Sequence, residues 1–345
     1  MTFARFGGEL PLGCDPLAPL PAPLPDNVYA FSHGRAALSW LAAARGPFAS
    51  AAVCAYTCPT VPAHLRRLDL ALGFFDYGSD DASAAVAALP GRCLVLVPAP
   101  FGLSPWLDVG ALARKLGERA AVVIDAAQSA FGALDFPVPR GGAVLSCPRK
   151  AMAVGDGALL AVERGNEQER AAIASLATAE APAQAKQAAR ALFAAGELER
   201  EPEALMLARR GETSFPPEPR RMSDASRDLV CRADRATHRE RRRANAAQLA
   251  VGLSDSAELV FDSDFAAPPS VPFNFPILHD DRARLLGDLR ARRVFATPLW
   301  PDAVHDPARH PRAADMARRL VALPIDQRYG ADDMDRLAEL VRPCL

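Results

Sequence analysis

Three of the 40 basic residues in this sequence are lysines, at positions 115, 150 and 186; all the others are arginine. That bias has a chemical corollary. A lysine amine can condense with a carbonyl to form an imine, and a guanidinium cannot. Lys150 is the best placed of the three. It ends the segment Ser146-Cys147-Pro148-Arg149-Lys150, lies between two short apolar runs, and precedes Gly155-Asp156-Gly157. Small residues in such a loop let the backbone approach a ligand closely. Lys115 and Lys186 sit in stretches that read as solvated helix. A surface loop lysine is the ordinary alternative at position 150.

Asp125 closes the apolar run Val122-Val123-Ile124 and is followed by Ala126-Ala127-Gln128. Ligands of open parallel sheets bind at the carboxyl ends of strands. A carboxylate placed there can hold the proton on a heterocyclic nitrogen. Gln128, nearly one helical turn on, can reach the same pocket. Capping of the next helix is the alternative role for Asp125. Ser32-His33-Gly34-Arg35 opens a helix, and helix N-termini bind phosphate through free amides. His33 has no sequence partner that would make it catalytic. The run Arg239-Glu240-Arg241-Arg242-Arg243 reads as a solvated helix face or a subunit contact.

These residues need a scaffold, and the pattern around them supplies one. Residues 14–26 are Pro-rich and read as an extended lead-in. From Ser32 onward strands and helices alternate. Strands are expected at 51–55, 74–77, 92–97, 120–124, 142–145 and 158–162, with helices at 35–44, 64–72, 81–88 and 109–116 between them. Continuous apolar strands in such an alternation predict an α/β fold with a largely parallel sheet covered on both faces. Residues 166–210 read as helical, Asp224–Leu253 as one long basic helix, and 271–277, 294–298 and 320–323 as strands between helices at 280–291 and 331–341. The chain is therefore divided into a large domain over 1–221, with 1–30 as its lead-in, and a smaller α/β domain over 222–345.

Composition narrows the function classes. The sequence has 345 residues, half of them apolar, and a formal charge of −1. That charge gives no electrostatic case for nucleic acid or an anionic membrane. The apolar runs are far shorter than a membrane span. Met1–Leu12 shows no basic segment ahead of an apolar core, so no signal peptide is expected. The seven cysteines are scattered without metal-ligand spacing, so no metal site is expected and a reduced, cytoplasmic protein is the default.

Taken together, the segments resemble the DegT/StrS aminotransferases, the sugar-aminotransferase branch of the fold-type I enzymes that use pyridoxal phosphate. The matching segments are Phe6-Gly7-Gly8-Glu9-Leu10, Gly34-Arg35-Ala36-Ala37-Leu38 and Ala55-Tyr56-Thr57-Cys58-Pro59-Thr60. They continue with 123–132, 146–150, 155–157, Arg221-Met222-Ser223-Asp224, Pro298-Leu299-Trp300-Pro301 and Leu323-Pro324-Ile325. The resemblance implies a seven-stranded, mainly parallel sheet in the large domain. It implies Lys150 as the Schiff-base lysine, Asp125 as partner of the pyridine nitrogen, Gln128 at the ring hydroxyl and Ser146 at the phosphate, with Gly34 and Arg35 beside it.

Three positions depart from the family. Arg35 stands where Thr or Ser is common. Cys58 occupies the place of the stacking aromatic ring, with Tyr56 two residues earlier. Pro219 replaces an Asn that reaches the neighbouring subunit's phosphate. Trp300 and Arg221 are the candidate substrate contacts, with core or interface packing as the alternative for Trp300. The implied activity is amino transfer from a donor such as glutamate to a nucleotide-linked keto-sugar, in a homodimer. Two alternatives stay open: another reaction on the same cofactor, and a relative that has lost activity and serves in binding or assembly. Dehydratases of the family carry histidine in place of the lysine, which Lys150 speaks against.

Overall fold

In the computed structural model of the chain, residues 5–196, 198–261, 268–303 and 306–345 are described. The strands in chain order are β1 (Phe6–Gly7), β2 (Val28–Phe31), β3 (Ser50–Cys54), β4 (Ala71–Phe75), β5 (Cys93–Pro98), β6 (Ala120–Ala126), β7 (Ala143–Ser146), β8 (Ala158–Val162), β9 (Glu258–Leu259), β10 (Asn274–Leu278), β11 (Val294–Phe295) and β12 (Leu320–Pro324). Seven of them form one sheet in the order β2-β8-β7-β6-β5-β3-β4. Strands β3 to β7 run parallel, and β8 runs antiparallel to both its neighbours. The expected α/β fold with its mainly parallel seven-stranded sheet is present.

The central strands of the sheet are almost wholly apolar because they are covered on both faces. Val95, Val97, Val122 and Ile124 belong to one buried cluster, and Leu94, Leu96, Ala121 and Val123 to another. The alternation follows the two-residue repeat of a strand. Each fully buried Val, Leu or Ile contributes about 1.5–3 kcal/mol, so these central strands anchor everything placed at their ends. The order also reverses: β4 lies beyond β3, whereas β5, β6 and β7 lie on its other side. The reversal puts a crevice between the carboxyl ends of β3 and β5, where such sheets bind ligands.

The C-terminal strands make a three-stranded antiparallel sheet in the order β12-β10-β9. A third buried cluster, including Leu249, Phe275, Leu289, Leu323 and Leu337, packs against it. The N-terminal segment joins this part, since β1 pairs with β11 and Phe6 lies in the same cluster. Among the described residues, no helix is long and apolar enough to cross a membrane.

Several expectations need correction. The long helix over Asp224–Leu253 is two helices, Asp224–Arg232 and Arg235–Leu253. Asp234 breaks it by capping the second, with its carboxylate accepting from the Thr237 amide at 3.1 Å. The helix expected at 64–72 spans Thr60–Arg67, and its strand comes earlier, at β4. Asp69, at φ 56°, turns the chain out of the helix; Asp tolerates the left-handed region better than most residues. A helix at Pro311–Arg319 was not expected. Lys186 is buried rather than solvated, and so is Arg242 of the basic run. Residues 1–4 of the N-terminal segment and residue 197 of the helical stretch lie outside the described residues.

Candidate active site

Strands β3, β5, β6 and β7 deliver their carboxyl ends to one cleft, and the N-terminus of helix Gly34–Arg45 closes its side. The cleft encloses about 600 Å³ including its open mouth. Of the residues singled out from sequence, Gly34, Arg35, Cys58, Asp125, Gln128, Lys150 and Trp300 line it. Ser146, Tyr56 and Arg221 do not.

The helix end is fitted closely to the strand behind it. A Cβ on Gly34 would lie 3.3 Å from the Cys147 Sγ, so only glycine allows this approach without a shift. His33 caps the helix: its Nδ1 accepts from the Ala36 amide at 2.9 Å, and its Nε2 lies 3.0 Å from the Pro216 carbonyl. A single proton on Nε2 satisfies both contacts. Burial, reinforced by the Arg35 charge, pushes the His33 pKa down to about 4, which keeps the ring neutral. The first-turn amides of Gly34 and Arg35 have no acceptor inside the helix and carry its positive end. Arg35 adds a guanidinium that forms no ion pair among the described residues, beside the like charge of Arg149. Such an end is built to receive an anion.

The opposite wall carries the titratable groups. Asp125, the penultimate residue of β6, is partly open to the cleft, with Oδ1 accepting from the Ala127 amide at 3.1 Å. That bond is a two-residue turn rather than a helix cap. Burial raises the Asp125 pKa, and the charge of Lys150 pulls it back down. Gln128 accepts from the Phe101 amide through Oε1 at 2.6 Å, which pins the loop after β5; its amide nitrogen bonds nothing among the described residues. Lys150 sits in the short helix Pro148–Ala151 that follows β7. The Cys147 thiol in the same wall is kept protonated by burial, so it offers no competing nucleophile.

Behind Lys150 lies a charge network that sequence reading missed. Glu212 bonds the Arg149 guanidinium through both carboxylate oxygens, with the longer contact at 3.0 Å, and lies 3.3 Å from the Lys186 amine. Burial opposes ionisation of Glu212, but Arg149 and Lys186 bring its pKa down to about 2. Arg190 bonds the Arg149 carbonyl at 2.8 Å and also the Met152 carbonyl. The Gly155-Asp156-Gly157 loop is tied down in turn. Asp156 accepts from the Ser223 amide at 2.9 Å and the Ser223 hydroxyl at 2.6 Å. Two sequence segments that each said little are thus one contact holding the lysine loop. Adjacency to Lys150 was the available signal for Arg149; nothing local marked Glu212.

The remaining candidates have other surroundings. Ser146 is fully buried at the end of β7, with its hydroxyl 3.5 Å from the Ala130 carbonyl. Tyr56 is buried and donates to the Leu299 carbonyl at 2.9 Å; its ring lies 5.4 Å from that of Trp300. Tyr56 therefore supports the loop that brings Trp300 to the cleft. Trp300 itself holds φ 46°, a left-handed conformation that is strained for a bulky residue. The Cys58 Sγ lies 3.1 Å from the Thr60 hydroxyl. Arg221 pairs with Asp224 at 2.7 Å, away from the cleft. Among the described residues, no cluster of His, Cys, Asp and Glu could hold a metal ion.

The sequence matches no protein-family model and no curated protein. Solved structures do match. A DegT/DnrJ/EryC1/StrS aminotransferase from Brucella abortus superposes with a TM-score of 0.62 at 16% identity, over 92% of this chain and 85% of its own. DesI, solved in the presence of its TDP-sugar product, gives 0.63 at 20%, over 92% and 80%. Spr1654 from Streptococcus pneumoniae, assigned as a sugar aminotransferase and solved in its PMP form, gives 0.64 at 13%, over 95% and 93%. At these identities the likeness is one of fold: the chain has the fold-type I architecture on which these aminotransferases are built.

Proposed function

We propose that the chain is an aminotransferase that uses pyridoxal phosphate and passes an amino group from a small donor, with glutamate as the first candidate, to a keto-sugar linked to a nucleotide. The observation that carries this reading is the convergence, in one cleft, of the amine of Lys150, the carboxyl of Asp125 and an anion-receiving helix end at Gly34 and Arg35. The residues fit the cofactor. Lys150 would hold its carbonyl carbon, and Asp125 would face its ring nitrogen. The amides of Gly34 and Arg35, with the Arg35 guanidinium that pairs with no described residue, would take its phosphate. Trp300, which lines the cleft where Cys58 supplies no ring, is the aromatic side chain available to pack on it.

When bound, the cofactor supplies a carbonyl that condenses with amines and a ring that stabilises negative charge at the substrate carbon. The protein supplies the rest. Burial raises the Asp125 pKa; a protonated ring nitrogen opposite it would favour the carboxylate, and the carboxylate would in turn hold that proton. The Lys150 Nζ, once freed by an incoming amine, is the group positioned to take a proton and return it. Gln128 keeps its side-chain nitrogen for a ring oxygen. The Glu212 network and the Asp156–Ser223 contact fix the lysine loop so that Nζ does not wander. We further propose a division of the chain near residue 222, a homodimer and a cytoplasmic location.

Borohydride reduction of purified protein incubated with pyridoxal phosphate tests the reading. The expected result is a stable adduct on the peptide containing Lys150, and loss of the cofactor's yellow colour, with no adduct, when glutamate is added before reduction. A colourless protein with no adduct would refute it. An adduct without the glutamate response would leave the cofactor and remove the proposed donor.

A further inference from the structure

Lys150 lines a second cleft as well. This one encloses about 500 Å³ including its mouth, and Gly8, Arg242, Asn274, Thr297 and Asp326 help to wall it. Among the described residues, Lys150 is the one residue common to both walls. A substrate that reacts at Lys150 therefore has the second cleft beside it, apart from the site assigned to the cofactor.

Most polar groups in this second wall are already engaged. The Arg242 guanidinium donates to Gln327 at 2.9 Å and to the Phe273 carbonyl at 2.8 Å. Asp326 is clamped by Arg328 at 2.6 Å. Asn274 differs. It begins β10 opposite Pro324 and is only 9% exposed. Among the described residues its buried Oδ1 has no hydrogen-bond partner, and none bonds its side-chain nitrogen. Folded proteins rarely leave a buried carboxamide unsatisfied, because it gives up its bonds to water and gets nothing back. An apolar side chain of the same size would fill this place without that loss.

We propose that Asn274 is a specificity-determining residue that reads adjacent hydroxyls of a sugar ring held in the second cleft. The inference rests on Lys150 being the reacting amine. A carboxamide presents an acceptor and donors side by side, and neighbouring hydroxyls present the complementary pair. A carboxylate only accepts, so it could use the Asn274 amide nitrogen alone and would leave the buried oxygen unpaired, whereas neighbouring hydroxyls can serve both; the residue is therefore better matched to a polyhydroxylated acceptor than to the carboxylate of an amino-acid donor.

The test is isothermal titration of the cofactor-loaded protein with TDP-glucose, UDP-glucose and GDP-mannose, each against its free nucleotide. It is run on the wild type, on Asn274→Leu, and on Asn274→Ala as a smaller variant that cannot clash. The wild type should prefer at least one hexose over its nucleotide by about 10-fold, the size of one to two hydrogen bonds. Both variants should lose that preference and keep their affinity for the nucleotide. Asn274→Leu should melt no lower than the wild type, since no protein partner is lost. A retained preference in the variants, no hexose preference in the wild type, or a lowered melting temperature in Asn274→Leu would each overturn the proposal. Borohydride trapping on the same samples separates the two claims. A wild type that takes up no cofactor refutes the aminotransferase reading, whereas a loaded protein without hexose preference refutes the role of Asn274 alone.

Discussion

Replacing Arg35 with alanine should weaken cofactor binding without weakening the fold. The guanidinium is half-buried in the cleft, forms no ion pair among the described residues, and faces the like charge of Arg149. Burial and Arg149 lower its pKa, so the cofactor-free protein holds this cation at a cost. A phosphate dianion would reverse the sign. Charge-assisted hydrogen bonds contribute about 1.5–3 kcal/mol, which corresponds to roughly 10- to 150-fold in Kd. Fluorescence titration of the cofactor-free protein with pyridoxal phosphate measures that loss. The wild-type affinity should also fall more steeply with salt than that of Arg35→Ala, because part of it is Coulombic. The melting temperature of the cofactor-free variant should stay level or rise by about 1–2 °C, as a like-charge contact is removed. Unchanged affinity, or a variant that melts well below the wild type before any cofactor is added, refutes the assignment and makes Arg35 a structural residue.

Two further outcomes follow from the charge network and the buried rings. Glu212→Gln removes the carboxylate shared by Arg149 and Lys186, whose side chains are each 7% exposed, and leaves Lys186 only the 3.8 Å contact to Glu9. Removing one partner of a buried pair costs about 3–5 kcal/mol. The Glu212 side chain is itself 42% exposed, and solvent screening should bring the loss to about 2 kcal/mol in urea unfolding; no change in the unfolding midpoint would show that the network is not formed. The second outcome concerns acid. His33 and His64 are pushed down to about 4 and His238 to about 3, chiefly by burial. Their folded pKa values lie below the unfolded value, so the unfolded chain binds protons first. Stability should therefore fall as pH drops from about 6.5 to 4. Glu212 adds to this only below about pH 4.5, where the unfolded carboxyl begins to bind protons that the folded one, at about 2, does not. A stability that is flat between pH 7 and 4.5 would contradict the buried, neutral histidines.

The sequence alone determined what depends on near neighbours in the chain. Continuous apolar runs had to be buried strands, so the parallel sheet was legible. Asp125 ends such a run, and Lys150 follows another, so their arrival at the same edge of the sheet follows from strand direction. Gly34, Arg35 and Trp300 were linked to that edge only through the family resemblance, and the contacts that hold the lysine loop from far along the chain were not legible at all. Glu212 meets Arg149 across 63 residues, and Asp156 meets Ser223 across 67. Lys186 and Arg242 look solvated in sequence because charged residues on helices usually are. Only packing shows that one is paired with Glu212 and the other wrapped by carbonyls. Asn274 carries no local signal at all: an asparagine in a strand becomes informative only when the surrounding structure leaves its carboxamide unbonded beside Lys150. The lysine's chemistry is a property of its residue type, but the partners that would direct it were decided by the tertiary fold.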